Sequence, residues 1–566
     1  MRRHIYIIFL LLSLPLLFPL RAAAQSLPVK MPVLSEYYRR AQLMGKINPN
    51  VSFTSYPLFP RQAFGEKNIF FPDSNHQKPL WNPQMRFSFL KKKGTFQILP
   101  VTWIQQVNSL HPAGRNNGAM VRNRGYETLL RSGVFTQIGP LSIQLYPEFV
   151  WAQNLPYNGF PQNYPDIRWA QYYWTLNSID MPERYGTGSY GKVFWGQSSI
   201  RLTFGAFSMG FSTENLWWGP GIFNTLIMTN NAPGFYHYTF NTVRPVKTFL
   251  GTFEWQLIAG RLNPSGYLPP GSKKTYNGHY LYSPKPKDWR FISGLLVTWQ
   301  PKWTPGLFLG FARTFQQYHN DFRGNLSDYF PVFLPVGLFS IGGDSELAKR
   351  RTQLYSVFFR WLWQKGHGEV YAEYGRSGFF WDQRDLKVET AYTGAFVVGM
   401  RKIFAWNRLR NENLEVTLEF TQLAKNATSL TRGAGSWYVG GLRSGYTHEG
   451  QLLGAGIGPG SNLQTLQVSW VKSLKSVGIR LERYAHNNDF FFTYIKDIRA
   501  NWVDVNATLL GQWAFRKQLM VNANLSFIQS LNYQWQYTAP LPPGFWDGKG
   551  KDVLNIHFNM GITYRF

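Results

Sequence analysis

The chain ends in VLNIHFNMGITYRF, residues 553–566. Leu554, Ile556, Phe558, Met560, Ile562, Tyr564 and Phe566 are apolar, while Asn555, His557, Asn559, Gly561, Thr563 and Arg565 between them are polar or small. Period two means a strand with one greasy face. An ordinary strand runs about 5 to 6 residues, so an alternation of this length fits a barrel wall better than a sandwich.

The pattern recurs upstream. Val503, Val505, Ala507, Leu509 and Trp513 oppose Asp504, Asn506, Thr508 and Gln512; Leu519, Val521, Ala523, Leu525 and Phe527 oppose Asn522, Asn524 and Ser526. Leu414, Val416, Leu418 and Phe420 alternate with Glu415, Thr417, Glu419 and Thr421, and Leu141, Ile143 and Leu145 with Ser142, Gln144 and Tyr146. Aromatics make up 17% of the chain and charged residues only 16%, against about a quarter in soluble proteins. No segment after the N-terminus offers about 18 consecutive apolar residues, so strands rather than helices would have to cross a membrane. A barrel wall needs apolar side chains only at every second position, which reconciles membrane residence with a mean hydropathy of −0.27. The expected class is an all-β membrane protein: an antiparallel transmembrane barrel of about 18 strands, within a range of about 16 to 18. The terminal Phe566 resembles the closing residue of bacterial outer-membrane proteins, whose last strand is read by the barrel assembly machinery.

Glu369, Glu373, Glu415 and Glu419 are expected to point into a wet lumen, where a carboxylate is cheap. Stretch 265–289, SGYLPPGSKKTYNGHYLYSPKPKDW, reads as an extracellular loop, and FRKQ at 515–518 as a periplasmic turn. Trp299, Trp303, Trp361, Trp363, Trp502 and Trp513 sit near strand ends, as interface girdles do.

At the other end, MRRH, an apolar run and RAAA ahead of Gln25 spell a signal peptide over 1–24. Two prolines interrupt the run and no stop-transfer pattern follows, so cleavage and export are expected. With no cysteine, the chain has neither disulfides nor a lipidated Cys. Residues 25–84 form a periplasmic helical and extended segment, and 85–566 the barrel. Ser35 is placed to cap a helix from Glu36 to Met44, stopped by Gly45. Leu34, Tyr38, Ala41 and Leu43 or Met44 give it one apolar face to pack on the periplasmic end of the barrel.

Catalytic signatures are missing. The ten histidines show no H-E-x-x-H and no close pair, and G-x-S-x-G does not occur. GAGIGPG at 454–460 matches neither phosphate-loop pattern and precedes a strand, so it reads as a tight turn. No catalytic residue, metal site or cofactor is expected, and the chain is read as a non-enzyme. The net charge of +29, or +26 once Arg2, Arg3 and Arg21 leave with the signal, calls for an acidic partner. For an exported barrel that partner is a surface polyanion rather than nucleic acid, drawn to loop clusters such as Lys273, Lys274, Lys285 and Lys287, and Lys349, Arg350 and Arg351.

WGPG at 218–221, followed by an apolar run and Asn230-Asn231-Ala232, joins SYPL at 55–58, EVYAEYG at 369–375 and GQLLGAGIGPGSN at 450–462. In that order these motifs resemble the capsule assembly Wzi family in its Bacteroidetes form, over almost the whole mature chain. The resemblance implies an 18-stranded outer-membrane barrel, closed below by N-terminal helices, that acts as a lectin anchoring or assembling capsular or other exopolysaccharide at the cell surface. A porin-like channel for oligosaccharides or anionic solutes is the competing reading. Trp217, Trp218, Asn230 and Asn231 fall on the family's motif; Trp faces can stack on sugar rings and Asn amides can pair with hydroxyls. The segment is expected to constrict or line the lumen, with these four residues and the four loop lysines as candidate polysaccharide contacts. Outer-membrane lipid and lipopolysaccharide are further expected partners, and the barrel is expected to be a monomer.

Overall fold

The computed structural model describes residues 25–66, 68–72, 86–91, 93–334, 350–379, 383–433, 435–538, 544 and 547–566. The signal peptide, residues 73–84 and Lys349 lie outside the described residues.

Among the described residues, eighteen antiparallel walls follow one another around a single sheet, from 94–108 through to Val553–Tyr564. That last strand pairs both with Leu519–Leu531 and with the first wall, so the ring closes, Phe558 lying opposite Val107. Closure satisfies every wall's backbone on both sides, which a membrane requires. Pro100 and Pro147 interrupt the early walls, because proline cannot donate to a ladder. Tight connections such as 515–518 gather at one end, and long loops, 265–289 among them, at the other.

The alternation in sequence is the alternation of faces. Leu554, Ile556 and Phe558 are exposed on the outer wall, whereas Asn555, His557 and Thr563 are buried within. Val505, Leu509, Phe420 and Leu145 likewise face out, and Asp504, Thr508, Thr417 and Gln144 face in. Of the tryptophans read as girdles, Trp303, Trp361 and Trp363 are exposed at the tight-turn end. Trp502 departs from that reading: it turns inward and stacks on His486, ring centroids 3.7 Å apart.

The carboxylates also point inward, but the lumen around them is not wet. Glu369, Glu373, Glu415 and Glu419 are all buried, because the N-terminal segment and two long loops fill the barrel with an apolar core. That core runs from Trp218, Ile222 and Leu226 to Tyr446, Leu452 and Ile457. A buried carboxylate has to be paired or hydrogen-bonded: Glu369 and Glu415 meet arginines, while Glu419 and one oxygen of Glu373 accept from backbone amides.

The N-terminal helix, α1 (Leu34–Leu43), starts two residues before its expected place. Val33 rather than Ser35 occupies the N-cap, no side chain caps it, and the Ser35 hydroxyl is buried without a partner. Its stop is as expected: Gly45 takes φ 72 and donates to Gln42 O, while Lys46 donates to Ala41 O, a Schellman closure. The helix enters the barrel instead of resting on its rim. Tyr38 packs with Phe53, Phe70, Leu474 and Met520, and Arg39 and Arg40 carry their charges into the lumen to meet Glu369 and Glu415, each at 2.9 Å.

Candidate functional site

Segment 213–236 hangs from the long-loop end and folds into the barrel. Its entry is fixed by Glu214, buried against Arg201 at 2.6 Å and bonded by Ser212 and Ser26. Trp217 and Trp218 then pair as a two-residue ladder with Tyr56 and Ser55 of the N-terminal segment. Gly219, at φ 129, donates to Thr54 O, a conformation that L side chains rarely adopt. The next backbone amides, those of Ile222, Phe223 and Asn224, converge on the Glu419 carboxylate at 2.7, 3.0 and 2.8 Å, and Tyr371 adds its hydroxyl at 2.8 Å. Successive N–H groups form a concave anion nest, here satisfied by a wall carboxylate. Leu226 N donates to Glu373 in the same manner. The loop is thus held by the inward glutamates of two strands, Gly368–Ser377 and Glu412–Gln422.

Trp217 and Trp218 are 2% and 0% exposed. Trp218 donates its indole N–H to Gln256, Trp217 to Gly221 O, and the Lys30 ammonium lies 4.3 Å from the Trp217 ring centre. Asn230 and Asn231 are buried as well and spend their amides on Asn116 O and Leu452 O. Direct sugar contact by any of these four would require the plug to move. GAGIGPG joins the same filling as a turn of the loop 423–461: Thr229 N donates to Leu453 O and Tyr438 bridges Leu226 O and Ala455 N.

The four loop lysines sit elsewhere, on an outer crown built around a second helix, α2 (Asp166–Leu176). Lys273 and Lys287 are exposed. Lys274 is half-buried with its ammonium 4.7 Å from the Trp169 ring, and Lys285 likewise over Tyr282 at 5.8 Å, where burial pushes its pKa down. Tyr173 pins the loop to α2 through Pro270 O at 2.6 Å. Trp174 and Tyr280 stand out of this crown, each 74% exposed. No hydrogen bond or ring contact among the described residues joins the lysines to the tryptophan and asparagine set. Arg351, grouped with loop charge by sequence, is buried on its strand beside Asp328, and Arg350 alone of that pair is exposed.

Burial and charge also act on the acids of these segments. Burial would raise the Glu36 carboxyl, but Arg401 and Lys30 override it and hold it below its usual range. Glu183, between α2 and the wall, has no such cation at hand, and burial pushes it up to about 7.

Between the plug and the walls from Asn462 to Tyr564 lies a cavity of about 510 Å³, lined by Arg115, Arg480, Tyr484 and Trp535 among others. Sequence reasoning missed it because its lining comes from seven strands, six loops and the N-terminal segment. The signal it left is the inward row Arg480, Glu482, Tyr484.

The family described as capsule assembly protein Wzi matches residues 107–535. The chain belongs to that family. Among solved structures it is similar to Wzi of Escherichia coli, described as a carbohydrate-binding outer-membrane β-barrel involved in group 1 capsule assembly. The likeness has a TM-score of 0.58 at 13% identity and covers 96% of this chain and 100% of that one. Acinetobacter baumannii OccAB2 and OccAB4 follow at TM-scores of 0.38 and 0.37 and identities of 10% and 9%, covering 82% and 85% of this chain and 98% and 99% of theirs. No curated protein sequence matches the chain. As a Wzi-family barrel it resides in the outer membrane.

Proposed function

We propose that this Wzi-family barrel is a closed anchor that holds capsular or other acidic exopolysaccharide at the cell surface by binding rather than by catalysis. The observation that carries the reading is the division of labour inside the fold. The lumen is filled by a loop clamped to wall glutamates, and the basic and aromatic side chains left free are presented on the outer crown. Lys273 and Lys287, with Tyr280 on their loop and Trp174 on α2, supply long-range attraction and stacking faces. Trp217, Trp218, Asn230 and Asn231 serve the function from behind, by keeping the plug in place. The lipid of the outer membrane surrounds the wall, the assembly machinery reads the strand ending at Phe566, and a single chain suffices, since the ring closes on itself.

Deleting the gene and measuring cell-bound and released polysaccharide separately tests the reading. The anchor predicts that bound polymer falls while released polymer rises by a similar amount. A fall in both would place the protein in synthesis or export instead.

A further inference from the structure

The cavity beside the plug has the furnishings of a binding site. On the strand Lys475–Ala485, residues Arg480, Glu482 and Tyr484 stand two apart on the inner face, about 6.6 to 6.8 Å from one to the next. Arg115 reaches in from the loop 109–124, donates to Glu482 at 2.6 Å and lies 5.4 Å from the Tyr484 ring centre. Glu482 also accepts from Asn506 at 2.8 Å. Arg480 is left less well served: Glu482 is 4.0 Å from its Nε, and that nitrogen has no hydrogen-bond partner. Its guanidinium lies 5.6 Å from the Phe223 ring of the plug. Arg122, bonded to Gly456 O, lines the same space. Arg115 and Arg480 therefore share the Glu482 carboxylate, with Arg122 as a further guanidinium on the lining.

Next to them runs a continuous aromatic flank. Tyr484 and His486 are 3.9 Å apart, His486 stacks on Trp502 at 3.7 Å, and Trp502 meets Trp535 and Tyr533 at 5.2 Å each. Among the lining's buried side chains with an unmet polar atom are Trp535, 4% exposed, with no acceptor for its indole N–H, and Asn224, 1% exposed, with no donor to its amide oxygen. Across from the flank the wall offers the amides of Asn524 and Asn559 and the hydroxyl of Ser526. At about 510 Å³ the space falls within the roughly 300 to 1,000 Å³ of small-molecule sites.

We propose that this cavity binds a short carboxylated saccharide segment, with its acid group on Arg480 and its ring faces along Tyr484 and Trp502. Amides, a hydroxyl and an indole N–H meet ring hydroxyls, guanidinium groups meet carboxylates as planar forks, and aromatic faces meet C–H faces. The site rests on the polysaccharide reading above and adds to it an interior contact, distinct from the lysine crown, that recognises the acid-bearing residue.

The test uses the full-length folded barrel in detergent, titrated by calorimetry with a galacturonic acid tetramer and with maltotetraose as the neutral match. The tetramer should bind and maltotetraose should bind at least tenfold more weakly. Arg480→Gln should lower the tetramer's affinity at least tenfold. Asn524→Trp, which fills the cavity from the wall, should do the same, with both variants still migrating as heat-modifiable barrels. Lys302→Glu, exposed on a tight connection away from the cavity, should leave tetramer affinity unchanged. Failure of the wild-type barrel to bind the tetramer, or unchanged affinity in both cavity variants, overturns the interior site. Polysaccharide retention on cells is read separately: if deletion still releases polymer while the cavity stays silent, the anchor stands and only the interior site falls.

Discussion

The Arg39 guanidinium lies 2.9 Å from the Glu369 carboxylate and at the same time donates to Pro220 O at 2.7 Å. One side chain of α1 thereby joins the N-terminal segment, the barrel wall and the WGPG turn of the plug. Glu369 is shared further with Arg360 at 2.5 Å and Arg401 at 4.0 Å, so it neutralises a cluster that would otherwise repel itself. Glu369→Ala should cost about 3 to 5 kcal/mol, the range for breaking a buried pair and stranding its charge. Arg39→Met should cost less, because Glu369 keeps two partners. Melting temperatures of the two variants check the order.

Phe558 and Asn559 are sequence neighbours on opposite faces. Phe558→Arg puts a charge into lipid, for about 2 to 4 kcal/mol near mid-membrane, whereas Asn559→Arg adds a cation to a polar cavity and should cost far less. Loss of the heat-modifiable band for the first variant and its persistence for the second is the expected gel result.

Gly221 and Trp218 report on the plug. A Cβ at Gly221 would run into the backbone oxygen of Asn224, which cannot withdraw without dismantling the amide nest on Glu419. Gly221→Val should therefore loosen the loop and raise single-channel conductance in planar bilayers above that of the wild type. Trp218→Ala removes a fully buried ring and should cost about 3 to 5 kcal/mol. Normal melting temperatures and closed channels in both variants would contradict the packing.

Charge on the crown should act through screening. Cell-bound polysaccharide is expected to fall as salt rises and the Debye length shrinks from about 10 Å at 0.1 M to about 3 Å at 1 M. Reversing exposed Lys273 and Lys287 to Glu should lower retention more than reversing Lys274 and Lys285, whose ammonium groups already sit over aromatic rings.

Glu183 gives a pH dependence. Its carboxyl rises from an ordinary 4.5 to about 7 on folding, so between these values the folded chain holds a proton that the unfolded chain has released. Stability must then decline as pH climbs from about 4.5 to 7 and level off above, by at most about 3 kcal/mol. Glu183→Gln should flatten that part of the curve of melting temperature against pH.

What the sequence determined by itself is the wall. Alternation is a local property, and Leu554, Ile556 and Phe558 carry it wherever the strand ends up, because lipid on one side and protein on the other sort side chains by parity alone. The turn at Gly45 and the division into long and tight connections were legible for the same local reason. The interior was decided only by tertiary structure. Glu369, Glu415 and Glu419 read identically whether they face water, Arg39 and Arg40, or a nest of plug amides, since Arg39, Arg40 and those amides lie 195 to 375 residues away in the chain. The free energy of a buried carboxylate depends on that partner and not on its neighbours in sequence. Trp502, girdle by position, became cavity lining by the same rule: its ring follows whatever packs against it, and here that is His486.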